Sequence, residues 1–211
     1  MILFLHNSKL EGKRMNKYEK LNELLQKGNG YLFTSEVEKN GISRTYMAKF
    51  VKDNNLEKVA KGIYISEDTW EDELYILQIR YPKIIFSGET ALYLHGMIDR
   101  EYSEINITVP PHFNRTRLCE QGVVVHQEKT EIYELGIVEL QTDFGNTVRT
   151  YNREKCVCDM IKCRGNIEVQ QFQTAMKTYM RDKSKEMSRL LMYAEKLKVK
   201  EEVMKYIEVM L

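Results

Sequence analysis

Four cysteines, Cys119, Cys156, Cys158 and Cys163, and four histidines are the side chains of this 211-residue sequence best suited to metal ligation or nucleophilic attack. A structural zinc takes four ligands, and its cysteines come in closely spaced pairs. Here Cys156 and Cys163 fall seven residues apart on one side of an expected helix, Cys158 points elsewhere, and no CxxC pair occurs. The nearest histidine upstream, His126, is thirty residues from Cys156. The spacing specifies no metal site, and buried, inert thiols are the expectation. Cys156 with His95, His112 or His126 would supply a nucleophile and a base, yet no flanking pattern ties such a pair together. His95, just before Gly96, is expected to interact with a helix C-terminus. Glu139, Asp143 and Lys155 are the residue types of a metal-dependent nuclease, although the wet face of a hairpin ordinarily carries such charges. Gly28-Asn29-Gly30 precedes a short apolar run and opens no helix, so it is not a phosphate-binding loop. The sequence therefore nominates no catalytic residue, no metal site and no cofactor.

A cationic set remains. Ser43 can cap a helix over residues 43–54, a segment free of Gly and Pro. At about 100° per residue, Tyr46, Met47, Phe50 and Val51 gather on one side while Arg44, Thr45, Ala48, Lys49 and Lys52 fall on the other. One face packs and the other is free, and the free face carries three cations of this helix and no anion. Phosphate neutralisation asks for that pattern. Arg44 suits a guanine edge, Thr45 and Lys49 suit bases or phosphates, and Tyr46 either packs in the core or donates its hydroxyl to a phosphate. Lys58 and Lys61 stand where a hairpin would meet the flanking backbone. Ser43, Arg44, Thr45, Tyr46, Lys49, Lys52, Lys58 and Lys61 form the expected set for contact with double-stranded DNA. The alternative is a protein–protein module whose polar face is simply solvated.

Charge along the chain favours the first reading. Net charge is only +1, but residues 1–62 hold 12 Lys and Arg against 7 Asp and Glu, leaving 20 against 24 in the remainder. A polyanion would meet the basic end. Residues 63–110 carry 9 acidic side chains against 3 basic ones and should avoid DNA.

The elements that must position these side chains follow from periodicity. Residues 1–14 share no period with what comes next and read as a disordered arm, or as a stretch upstream of a start at Met15. From Asn16, the spacing of Tyr18, Leu21, Leu24 and Leu25 predicts a helix closed by Gly28-Asn29-Gly30. Tyr31-Leu32-Phe33 is a short apolar stretch. Ser35 and Glu38 fit a capping box for a second, short helix ended by Gly41. The turn Asn40-Gly41-Ile42 then leads into the helix opened by Ser43, and residues 56–65 fit a small hairpin about Lys61-Gly62. Helix, helix, tight turn, helix and hairpin is the order of a winged helix-turn-helix, assigned to residues 15–66.

Residues 67–211 read as a second, α+β domain ending in several helices. A linking helix is expected over 70–81, a strand at 84–86, and a helix capped by Ser87 that runs to Leu94. Strands follow over 105–109 and 123–125, then a hairpin over 138–151 turning at 143–146. Asn152 or Arg153 opens a helix to about Cys163, and apolar stripes outline three more at 167–179, 187–197 and 203–211. The fold class is α+β. No apolar run approaches the ~18 residues of a membrane span, no export signal is visible, and a chain of this length needs no disulfides. A reducing cytoplasm is the expected location.

Several segments in this order and spacing make the chain resemble the AbiEi-like antitoxins. They are Val59-Ala60-Lys61-Gly62-Ile63-Tyr64, Ser87-Gly88-Glu89-Thr90-Ala91-Leu92-Tyr93-Leu94-His95-Gly96, Ile107-Thr108-Val109-Pro110 and Tyr151-Asn152-Arg153-Glu154-Lys155-Cys156-Val157-Cys158-Asp159. The resemblance runs from about Met15 over most of the chain. It implies a winged helix that binds inverted repeats upstream of its own operon and represses it. It also implies a C-terminal domain that opposes a nucleotidyltransferase-like toxin encoded beside it in an abortive-infection system, without a stable complex. Two alternatives stay open: a regulator with a ligand-sensing C-terminal domain, and a metal-dependent nuclease.

Overall fold

In a computed structural model, residues 16–99 and 102–210 are described. The expected arm, residues 1–14, lies outside them. The chain divides into two compact units, Met1–Glu71 and Asp72–Leu211.

In the first unit, Asn16 caps α1 (Lys17–Lys27) through a capping box. Its side chain accepts the Glu19 N–H at 2.8 Å, and the Glu19 carboxylate accepts the Asn16 N–H at 2.9 Å. The chain then reverses through Asn29 and Gly30, both at positive φ. Gly30 packs so closely that an added Cβ would sit 1.8 Å from the Thr69 hydroxyl oxygen, and only glycine fits there. β1 (Tyr31–Phe33) leads directly into α2 (Thr34–Lys39), followed by α3 (Arg44–Asp53), β2 (Glu57–Ala60) and β3 (Ile63–Ile65). The three strands form an antiparallel sheet in the order β1-β3-β2, with Tyr31 opposite Ile65, Phe33 opposite Ile63 and Lys58 opposite Tyr64. The helices bury Leu21, Leu24, Val37, Met47 and Phe50 around Leu32, Ile42 and Leu56.

The expected Ser35–Glu38 capping box does not form. α2 begins two residues earlier, with Phe33 at the cap position and no side-chain cap, because the Thr34 N–H donates to the Gly62 carbonyl of the hairpin at 2.9 Å. Glu38 is thereby left for another partner. The first unit also reaches past the hairpin: the Ser66 N–H donates to the Gly30 carbonyl at 3.0 Å, and the Tyr31 hydroxyl donates to the Trp70 carbonyl at 3.1 Å. Trp70 therefore belongs to this unit, not to the helix expected over 70–81.

The second unit opens with α4 (Glu73–Arg80), β4 (Ile85–Phe86), α5 (Gly88–Leu94), β5 (Asn106–Val109), α6 (Thr116–Glu120) and β6 (Val124–Gln127). It continues with α7 (Thr130–Tyr133), β7 (Ile137–Gln141), β8 (Thr147–Tyr151), α8 (Arg153–Lys162), α9 (Val169–Arg181), α10 (Met187–Lys196) and α11 (Lys200–Met210). Its five strands are ordered β6-β5-β4-β8-β7, with β4 and β8 parallel, β5 and β6 parallel, and the other neighbours antiparallel. Strand alternation divides the interior in two. Phe86, Ile107, Val109 and Val148 join Leu74 and Leu77 of α4 in one cluster, while Ile85 and Tyr151 join α8–α11 in the other.

α4 starts at Glu73 because the buried Asp72 caps it, accepting the Tyr75 N–H at 3.0 Å. Ser87 occupies the cap position of α5 without capping it, since its oxygen accepts the Thr108 hydroxyl at 2.9 Å. Asn152 caps α8, accepting the Lys155 N–H at 3.0 Å. Among the described residues, no helix is long and apolar enough to cross a membrane.

Candidate nucleic-acid interface

The turn before α3 is built from two backbone bonds, Gly41 N–H to Glu38 O at 2.9 Å and Ile42 N–H to Val37 O at 3.2 Å. Gly41 takes φ +72, a left-handed conformation that glycine adopts without strain. Ile42 drops into the core, and Ser43 then caps α3 by accepting the Tyr46 N–H at 3.3 Å. Ser43 thus has a structural task whatever else it touches. Met47 and Phe50 are buried, and Arg44, Thr45, Lys49 and Lys52 are exposed. Tyr46 is half-buried and packs on the core cluster, with the Lys17 ammonium 5.9 Å from its ring centroid. Of its two expected roles, the ring takes the packing one.

Arg44 is not alone. Its Nε pairs with Glu38 of α2, and its Nη2 lies 3.4 Å from the second carboxylate oxygen. The hydrogen bond from Arg44, assisted by its charge, holds the Glu38 carboxyl below the usual carboxylate range, and the reciprocal contact raises the Arg44 guanidinium further. The expectation of an anion-free face is corrected here. It considered α3 by itself, whereas the turn brings an acid from α2 beside its first residue. Lys49, Lys52, Lys58 on β2 and Lys61 in the β2–β3 turn are exposed and form no ion pair with any described residue. Among the expected contact residues there are thus four ammonium groups without a described ion pair and one guanidinium pre-positioned by a carboxylate.

The other chemistry-bearing residues lie in the second unit. Cys156 and Cys158 are buried, as expected of inert thiols, and burial pushes both up, Cys158 to about 12. Cys119 and Cys163 are exposed instead, being near or beyond the ends of short helices whose buried sides point elsewhere. The His95 ring does not turn to a helix C-terminus. Its Nε2 lies 2.7 Å from the Tyr151 carbonyl and donates to it, and burial lowers the imidazole's affinity for a second proton.

Glu139 faces Arg149 across β7–β8, Asp143 accepts the Tyr93 hydroxyl at 3.0 Å, and Lys155 is buried beside Asp159. These three residues serve three separate local pairings. No group of three or more His, Cys, Asp or Glu that could hold a metal occurs among the described residues.

Comparison with known proteins gives a family match and structural likenesses. Residues 16–100 match the family described as "Transcriptional regulator, AbiEi antitoxin N-terminal domain", a span that includes α1 through α5. The crystal structure of the RV2827C protein from Mycobacterium tuberculosis is similar with a TM-score of 0.54 and 12% identity. That match covers 86% of this chain and 72% of the other, and at such identity it is a likeness of fold. No curated protein matches the chain.

Proposed function

We propose, starting from the AbiEi antitoxin N-terminal domain matched at residues 16–100, that this chain is a DNA-binding autorepressor and antitoxin. On this reading, residues 15–66 are a winged helix-turn-helix, with α2, the Gly41 turn and α3 as the helix-turn-helix and β2–β3 as the wing. α3 enters the major groove by its N-terminal end, as recognition helices do. Arg44 exchanges Glu38 for a base edge, Thr45 and Lys49 contact bases or phosphates, and Lys52, Lys58 and Lys61 neutralise the flanking backbone. The target is double-stranded DNA, inverted repeats upstream of the protein's own operon. Residues 67–211 oppose a nucleotidyltransferase-like toxin encoded beside it, without a stable complex, in the cytoplasm of a cell defending itself against phage. No catalysis is assigned to the chain.

The observation that carries the proposal is the exposed cationic face of α3, with Lys49 and Lys52 free of ion pairs to any described residue and Arg44 held at its leading end. Gel shifts with the intact chain on its own upstream DNA test it. Four lysines per protomer facing phosphates would give a log–log salt slope near −3.6 and roughly a 150-fold loss of affinity between 50 and 200 mM salt. Arg44→Ala should weaken operator binding roughly ten- to a hundredfold and blur preference at one base pair, whereas Lys61→Ala should weaken operator and random DNA alike. Absence of binding at low salt, or binding indifferent to salt, would overturn the reading. A cavity in the second unit favours a further role for that unit, a ligand-binding one.

A further inference from the structure

The cavity has a volume of about 160 Å³ and lies among α5, β5, β6 and α8. That is close to the ~150 Å³ in which an engineered protein cavity accepts benzene, so it admits about one ring. Leu92, Met160 and Ile167 supply apolar lining. Ser87, Glu89 and the Lys155–Asp159 pair supply polar lining.

The charges there decide what can enter. The Lys155 ammonium is almost fully buried, lies 2.6 Å from both oxygens of Asp159, and faces the Tyr151 ring 4.6 Å from its centroid. The Lys162 ammonium, at the rim, is taken by Glu128 at 3.1 Å. Both lysines of the lining are therefore neutralised by neighbours. A phosphate or carboxylate would have to break one of these pairs and would still face three lining carboxylates, Glu89, Glu128 and Asp159. Glu89 differs from the other two: it is half-buried and makes no hydrogen bond or ion pair with any described residue. A half-buried, unpaired carboxylate on the wall of an apolar cavity is satisfied by a cation or by paired N–H donors.

We propose that this cavity binds a small organic cation: an apolar body of about one ring lies against Leu92, Met160 and Ile167, and an amidine, guanidine or amine group pairs with Glu89. The Ser87 oxygen, already accepting from Thr108, keeps its own hydrogen for an acceptor on the ligand. The proposal is independent of the DNA-binding reading.

The test uses the intact chain with two probes of equal size and opposite charge, benzamidine and benzoate, followed by calorimetry and by amide shifts in NMR spectra. Benzamidine should bind in the low-millimolar range expected of a fragment, with shifts centred on Ser87, Gly88, Leu92 and Met160, and benzoate at least tenfold more weakly. Glu89→Gln should weaken benzamidine at least tenfold without moving the melting temperature. Should that variant lose its fold, Ile167→Trp, which fills the wall from a half-buried position, should abolish benzamidine binding instead. Equal binding of the two probes, a Glu89→Gln variant that binds benzamidine as before, or no binding of either probe at about 10 mM would overturn the proposal.

Discussion

Replacing Asp72 with alanine removes the carboxylate that joins the start of α4 to the β7–β8 turn. Asp72 is 1% exposed; besides capping α4, it accepts the Thr142 hydroxyl at 2.5 Å and the Asn146 side-chain amide at 2.8 Å. Loss of a helix cap costs about 1 kcal/mol. Thr142 and Asn146 are themselves buried, so each loses an acceptor where water does not readily replace it, at about 1.5 to 2 kcal/mol apiece. The expected loss is about 4 kcal/mol, a large fraction of the ~5–15 kcal/mol that typically holds a domain. Asp72→Asn keeps the cap and should lose about half as much. Urea titrations followed by circular dichroism measure the change, and gel shifts on the same samples report the first unit. The second unit should unfold at lower urea while, on the proposed function, operator binding persists and cells expressing the toxin lose rescue. A loss under about 1 kcal/mol would refute the account of Asp72 as the joint between helix and hairpin, and a parallel loss of DNA binding would refute the independence of the units.

Three further outcomes are expected. Glu38→Gln should free Arg44 and raise affinity for random DNA about two- to fivefold at low salt, while lowering the ratio of operator to random binding; no change in either would place Arg44 away from the DNA. Because burial depresses the folded His95 pKa below its ordinary 6.5, the stability linked to it is complete above 6.5 and lost as pH falls through the folded value. Denaturant titrations from pH 7.5 to 5.5 should therefore show the parent chain losing up to about 1.4 kcal/mol more than His95→Gln, and identical pH profiles would contradict the assignment. Lys155→Met should cost about 3 kcal/mol at neutral pH by stranding Asp159, and adding Asp159→Leu should recover most of it; a harmless single substitution would show that the pair is not under strain of burial.

The parts legible in the sequence were those written in short-range patterns. Ser43 and Asn152 cap the helices their positions announce, and the hairpin expected over 138–151 forms. Ser35–x–x–Glu38 has capping-box spacing, whereas a hairpin carbonyl 28 residues downstream of Thr34 fixes where α2 begins. The true box, Asn16 with Glu19, uses an asparagine cap outside the Ser/Thr form of the motif. α6 and α7, five and four residues long, are too short to show a helical period. α8 concealed more: it buries Glu154 and Lys155 along with its apolar residues, so charges that normally mark a wet face lie inside. Of the interface, the identity and exposure of the α3 cations were readable, and the carboxylate beside Arg44 was not, because that pairing depends on the angle between two helices. The cavity depends on residues from five separate segments and has no sequence signature.

The strand order of the second unit also sets a timetable. Its central strand, β4, has two residues and meets β8 through Phe86 and Thr150, where the Thr150 hydroxyl donates to the Phe86 carbonyl across 64 positions of chain. One edge of β4 can pair with β5 early, but its other edge stays open until the ribosome has made β8, and such distant pairings fold slowly. The first unit closes its sheet with Tyr31 opposite Ile65 and needs nothing beyond Trp70. At about 5–20 residues per second, several seconds of synthesis separate the two events. The first unit of a nascent chain is therefore complete, and free to meet its partner, while the second is still being assembled.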